Sequence, residues 1–265
     1  MTAVPAPGNW RGALARRNPA AKLAAALLFS LPLIATLDPV APALAIVVEL
    51  AVLPFAGVRP LTLLRRAAPL LLSIAGLLVT VLLFAADRSG TVLLAAGPVT
   101  LTTGVLETAL GLTLRVVAIA LPGLIVLATT DPTDLADALI QNARFSPRFA
   151  IGALAAFRLV PLLTDEWRTL AAARRARGVD AGRNPVAAIR IFTSTAFALL
   201  VGAIRRGVRL ATAMDARGFD AGIPRTVARR QVFGYRDAAL MIAAVALSAA
   251  ALTVSALAGT FRPVF

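Results

Sequence analysis

The chain has 265 residues, 59% of them hydrophobic, a mean hydropathy of +0.83 and a formal net charge of +14. Soluble domains lie nearer half apolar, so this composition points to a membrane protein. The absence of Cys and His excludes disulfides, zinc sites built on those residues, and catalysis by a nucleophile–histidine pair. The single lysine, Lys22 in "AAKLA", leaves no Gly-Lys-Ser/Thr phosphate loop, so the chain has no Walker-type ATP site of its own.

The amino-terminal "MTAVPAPGNWRGALARRNPAAK" is Pro-rich, then basic, and the apolar run after it lacks a small-residue cleavage site, so no cleavable leader is expected. A bilayer core takes about 20 mostly apolar residues per helix. Expected spans are Leu23–Leu37, with Lys22 snorkelling at its edge, Val40–Val58, Ala67–Ala86, Gly104–Thr129 and Ala238–Thr260. Between the third and fourth, "TVLLAAGPVTLTTG" (Thr91–Gly104) is β-branched with a Gly-Pro break and reads as an outer loop or a short surface hairpin. Glu49 and Arg115 fall near the centres of the second and fourth spans. Charges at that depth are costly and usually paired, so the two are expected to form an intramembrane ion pair. Glu107 lies two helical turns from Arg115, too far for a direct bond on one straight helix.

After the fourth span, "TTDPTDL" (Thr129–Leu135) reads as a helix start: Asp131 caps, Pro132 takes the first helical position, and Asp134 faces the helix dipole. Two further apolar runs follow, Phe149–Leu163 and Pro185–Ile204. Charge decides how they are read. With the amino terminus inside, Arg11, Arg16, Arg17, Lys22, Arg59, Arg65 and Arg66 are cytoplasmic, and only Arg88 and Arg262 fall outside in short segments. If Pro185–Ile204 crossed the membrane, Arg205, Arg206, Arg209, Arg217, Arg225, Arg229, Arg230 and Arg236 would follow it outside. The expectation is therefore an all-α polytopic membrane protein: spans one to four in residues 1–130, a cytoplasmic helical hairpin in 131–235, and a fifth span in 236–265, with the carboxyl terminus outside. The basic residues border apolar helices, as cytoplasmic flanks do, and nucleic-acid binding is not expected.

The segment 131–235 contains a repeat. "LAAARRARGVDAG" from Leu170 and "LATAMDARGFDAG" from Leu210 agree at nine of thirteen positions. Each copy ends a helical pattern. The first helix is expected to start at or after Pro161, with Leu163, Trp167 and Leu170 on one face; the second should run from about Pro185 to Arg217. Gly178 and Gly218 fit the left-handed position just past a helix end, which puts Arg177 and Arg217 in the final turns, where the dipole favours a cation. Ala176 and Ala216 leave little bulk beside them. A guanidinium presented this way suits a carboxylate or carbonyl cluster on another protein. The plainer alternative is that Arg-Gly only stops a helix and that Asp180 and Asp220 are turn residues. Gly178 with Gly182, and Gly218 with Gly222, also spell GxxxG, but outside any apolar 20-mer, so helix dimerisation is rejected.

With these motifs the sequence resembles the transmembrane coupling (T) component of energy-coupling-factor transporters, ABC-type importers of vitamins and transition-metal ions. The signature of that family is two Ala-Arg-Gly motifs ending two long cytoplasmic coupling helices, here Ala176-Arg177-Gly178 and Ala216-Arg217-Gly218. "LRVVAIALPGLIVLATTDPTDLADAL" (Leu114–Leu139), "FRLVPLLTDEW" (Phe157–Trp167), "AMDARGFD" and Pro224-Arg225-Thr226 are similar too, so the resemblance covers about Gly104–Thr226.

The resemblance implies two cytoplasmic ABC ATPase subunits, or one fused ATPase, each with a groove that receives one helix tip. It also implies a separate small substrate-binding membrane protein, the S component. ATP would be used by the ATPases; this chain would carry no catalytic residue, metal or cofactor of its own. Its place would be the bacterial cell membrane, with the amino terminus cytoplasmic. Two alternatives come from other classes: a conventional permease that binds its substrate itself, and a membrane-embedded lipid or prenyl enzyme. The first would need more polar residues within the spans than Glu49, Glu107 and Arg115. The second would need clustered carboxylates for a metal, and only Asp131, Asp134 and Asp137 come close.

Overall fold

The structure, a computed structural model, describes residues 12, 14–36, 38–57, 63–64, 67–84, 89–96, 99–219 and 226–259. It forms two compact units, one of Pro7–Phe145 with Gln231–Phe265, the other containing Ser146–Arg230.

The first unit holds α1 (Pro19–Leu33), α2 (Val40–Ala56), α3 (Ala68–Phe84), a hairpin of β1 (Val92–Ala96) and β2 (Val99–Thr102), then α4 (Thr103–Thr129), α5 (Pro132–Asn142) and α8 (Tyr235–Leu257). The second holds α6 (Pro147–Ala176) and α7 (Pro185–Ala216).

Local chemistry sets the ends. Asn18 accepts a bond from the Ala20 amide (2.9 Å) with Pro19 at the first helical position. Helix α1 therefore begins four residues before the expected Leu23, because Asn-Pro is a start signal that hydropathy ignores. The expected spans reached Leu37, Val58, Ala85–Ala86 and Thr260, which lie outside the described residues. The stretch from Thr91 does form a hairpin, antiparallel, with Val92 opposite Thr102. Thr102 then accepts from the Val105 amide (3.4 Å) and opens α4. Helix α5 starts as expected: Asp131 accepts from the Thr133 amide (2.7 Å), Pro132 follows, and Asp134 lies in the first turn.

The chain is a helical multi-pass membrane protein. Helices α4, α6, α7 and α8, of 27, 30, 32 and 23 residues, are long and apolar enough to cross a bilayer; α1, α2 and α3, of 15, 17 and 17, are apolar but shorter. Two of the expected spans thus reach crossing length, and so do the two helices placed outside the bilayer by their flanking charge. Helix α6 is also longer than expected. It runs straight through Pro161 from a start at Pro147, since one missing amide in a 30-residue helix removes one bond and leaves the rest.

In the first unit, α1 packs on α8 and α4, and α2 on α4 and α8. Small residues bring the backbones close: Ala41, Ala45 and Ala118 are buried with Phe29 and Leu33, and a second cluster joins Leu53, Ala56 and Leu63 to Leu121 and Ile125. Polar ties cross the apolar contacts. Lys22 Nζ donates to the Thr129 carbonyl (2.8 Å), and Ser30 Oγ to the Ile119 carbonyl (3.3 Å). The Asn18 amide donates to Asp237 Oδ1 (3.1 Å), whose other oxygen accepts from the Gly234 amide (2.9 Å). One sequence position was missed altogether. Asp38, buried between α1 and α2, accepts from the Ala41 amide (3.0 Å) and from Ser255 Oγ on α8, so one carboxylate caps one helix and anchors another.

Replacing Asp38 by Ala removes a helix cap and a buried interhelical bond, and should lower stability by about 2 kcal/mol. The check is the thermal unfolding midpoint of the purified chain in micelles. Asp38→Asn, which keeps an oxygen for the Ala41 amide, should lose less.

Two congruent helix tips as the candidate functional site

The repeat is built as two copies of one helix ending. Arg177 caps α6 with φ −90° and ψ 8°; Arg217 caps α7 with φ −89° and ψ 10°. The following glycines are left-handed, Gly178 at φ 76° and Gly218 at φ 68°. In the first copy, the Gly178 amide donates to the Arg175 carbonyl (2.9 Å) and the Val179 amide to the Arg174 carbonyl (2.9 Å). In the second, Gly218 donates to Asp215 (2.9 Å) and Phe219 to Met214 (3.0 Å). This paired closure is the Schellman motif, which takes a left-handed glycine and, after it, an apolar residue folded back on the last turn. The one position at which "ARGVDAG" and "ARGFDAG" differ is that apolar place, Val179 or Phe219.

The closure satisfies the last carbonyls with backbone donors, so neither arginine is needed for it. Ala176, Arg177, Gly178, Ala216, Arg217 and Gly218 are all exposed, and among the described residues neither guanidinium has an ion-pair or hydrogen-bond partner. The plain helix stop and the presented cation are therefore separate features of one motif. Asp180 acts within its turn, accepting from the Ala181 amide (2.8 Å); Asp220, Gly222, Pro224 and Arg225 lie outside the described residues.

Contacts between α6 and α7 fix where the tips point. Arg174 Nη1 donates to the Ile191 carbonyl (3.0 Å), Ser194 Oγ (2.7 Å) and Thr195 Oγ1 (2.7 Å). Glu166 pairs with Arg206, and the Trp167 ring lies 5.2 Å from that of Phe192. Later residues of α6 meet earlier residues of α7, so the two helices run antiparallel. Arg177 thus sits near the start of α7 and Arg217 at its far end. From Thr195 to Arg217 the helix rises about 33 Å at 1.5 Å per residue. Sequence reading found both tips and missed Arg174 and the Glu166–Arg206 pair, which join residues 17 to 40 apart with no local pattern to reveal them.

The expected intramembrane pair is not formed. Glu49 is buried, and neither of its carboxylate oxygens has a hydrogen-bond partner among the described residues. Arg115 is half-buried on α4. Both residues were placed on the right helices.

An apolar multi-helix membrane protein with two matched arginine tips is the class that these features define. The CbiQ profile, described as cobalt transport protein, matches residues 12–227, and the chain belongs to that family. It is 30% identical, over 94% of its length, to a Bifidobacterium longum protein named as an ABC transporter ATP-binding protein, of which the match covers 33%. It is 31% identical to the energy-coupling factor transporter transmembrane protein EcfT of Limosilactobacillus fermentum, over 57% of this chain and 60% of that one. For EcfT 1 of Listeria monocytogenes the identity is 30%, over 69% and 71%. The chain thus spans a third of the first relative and less than two thirds of the second.

At Gly178 nothing lies within 4 Å of where a Cβ would stand, so Gly178→Ala meets no clash and feels only the positive φ. That strain is roughly 1–2 kcal/mol. Hydrogen exchange at the Val179 amide should quicken about five-fold or more, and Gly218→Ala should do the same at Phe219. Gly152→Ala, in open space inside α6, should quicken neither.

Proposed function

We propose that this chain is the coupling subunit of an ATP-driven importer, a T component that passes the motion of partner ATPases to a separate substrate-binding membrane subunit. The observation that carries the reading is the pair of congruent, exposed arginine tips, unpartnered among the described residues, one beside the start of the 32-residue α7 and one at its end. Two like tips held tens of ångströms apart fit two like sockets, one on each ATPase subunit or on each half of a fused ATPase. A socket lined by carboxylates or carbonyls would accept the fork of Arg177 or Arg217 with Ala176 or Ala216 close against it.

Two further findings support this. The Bifidobacterium relative carries a stretch like almost the whole of this chain within a third of its length, and is named for ATP binding. This chain has no Gly-Lys-Ser/Thr loop, so ATP would be bound by other polypeptide. The substrate, a vitamin or a transition-metal ion, would be chosen by the small membrane partner. The excess of basic flanks on one side supports a bacterial cell membrane protein with a cytoplasmic amino terminus and cytoplasmic tips.

A second reading has one observation behind it: α6 and α7 are long and apolar enough to cross a bilayer, as in a permease with its own substrate path. Because they run antiparallel, spanning would put Arg177 and Arg217 on opposite sides.

Arg177→Glu and Arg217→Glu each place a carboxylate where a cation is expected to dock. Breaking a buried charged contact costs about 3–5 kcal/mol, a hundred-fold or more in affinity. Copurification of the ATPases should fall steeply in each variant and vanish in the double one, with helix content unchanged. Wild-type copurification and transport by the double variant would contradict the docking role.

A further inference from the structure

The chain passes between the two units twice, outward from Phe145 to Ser146 and back from Arg230 to Gln231. On the first unit's side, both connectors are fixed up to the junction. The outward one leaves the end of α5, where the Ala143 and Phe145 amides both donate to the Leu139 carbonyl (3.1 Å each). Arg144 lies between them at φ 53°, the one residue other than glycine with a positive φ among the described residues. Side chains disfavour that region, so the turn is imposed by its bonds.

The returning connector is exposed through 226–230 and has neither helix nor strand before Tyr235. No backbone ladder holds it, so side chains of the first unit set its stiffness. The Gln231 amide donates to Gln141 Oε1 (2.9 Å), and the Val232 carbonyl accepts from Asn18 Nδ2 (3.3 Å). The Gly234 amide donates to Asp237 Oδ2 (2.9 Å), and the Asn18 amide to Asp237 Oδ1 (3.1 Å). Asn18 and Asp237 are buried. Gln141 is the outermost of these ties. It sits on the last turn of α5, and its partner lies 90 residues further along the chain, so it joins one connector to the other.

We infer that Gln141 is a positioning residue for coupling. By holding Gln231 to the end of α5, it makes the two connectors one root, and a displacement arriving from the helix tips passes into the first unit instead of being absorbed as slack in the returning connector. The inference rests on the coupling role proposed above. The tie is between uncharged groups, so neither salt nor pH weakens it directly.

The test compares Gln141→Met, which keeps the length of the side chain and loses the acceptor, with Gln141→Glu, which retains an acceptor oxygen. Position 141 is partly exposed and tolerates either change. In the purified chain, hydrogen exchange at the Gln231 amide should quicken about five-fold in Gln141→Met and stay at the wild-type rate in Gln141→Glu. For coupling, a nitroxide is placed at Ala239→Cys, an exposed position on α8, before the ATPases are added. The change in its spectrum between ADP and a non-hydrolysable ATP analogue should be lost in Gln141→Met and whole in Gln141→Glu, with equal copurification of the ATPases. Unaltered exchange at Gln231 in Gln141→Met would overturn the inference. So would a nucleotide response undiminished in Gln141→Met, lost equally in Gln141→Glu, or absent from the chain with native Gln141 while the ATPases are bound. Failure of the ATPases to copurify with that chain would instead overturn the coupling reading, and the inference with it.

Discussion

Left-handed backbone at Gly178 and Gly218 is the constraint on which the arrangement of this protein's second unit depends. An L-residue with a side chain resists that conformation, and glycine does not. With glycine there, the chain folds back sharply enough for two successive amides to reach the carbonyls of the last turn. The helix is closed by its own backbone. The arginine before the glycine is then left with a fixed backbone, a favourable dipole and a guanidinium that has no partner among the described residues. Had the closure needed the side chain, the cation would be consumed by its own helix and unable to serve a partner.

Distance matters as much as the tips. Arg174, Glu166 with Arg206, and Trp167 against Phe192 tie α6 to α7 along their middles, and beyond those ties α7 continues unbranched to Arg217. A helix is stiff over this length and moves as a body, so displacement at one end is carried to the other. That is the property a coupling element needs. Along α6 and α7, Phe157, Phe192, Phe197, Leu200 and Ile204 are exposed in the isolated chain. Such faces suit lipid or a protein partner rather than water.

Much of this was legible in the residues, for reasons that can be named. Local rules reported well. The repeat gave both tips, Pro185 and Arg217 bracketed α7, and "TTDPTDL" gave the start of α5 with its cap. The Gly-Pro break gave the hairpin. What failed needed either a start signal that hydropathy cannot see, as at Asn18-Pro19, or knowledge of which helices pack together. Helix α6 was begun too late because proline was read as a boundary, although a long helix tolerates one. Glu49 and Arg115 were paired because both sit at mid-span, yet depth fixes only one coordinate. Azimuth decides partners, and it leaves Glu49 buried on α2 with neither carboxylate oxygen bonded among the described residues. Arg174 was hidden inside the repeat, where it reads as one more basic residue, and its role emerges only once Ser194 and Thr195 are brought beside it.

The chain contains no cysteine, so a single introduced thiol reports one position without background. The most direct measurement is labelling of Arg177→Cys and Arg217→Cys with a membrane-impermeant maleimide, in right-side-out and in inverted vesicles. Docking of both tips on cytoplasmic ATPases requires that both thiols react only in inverted vesicles and that both are shielded when the ATPases are present. Reaction of the two from opposite faces of the membrane would mean that α6 and α7 are spans, and the coupling account would be wrong.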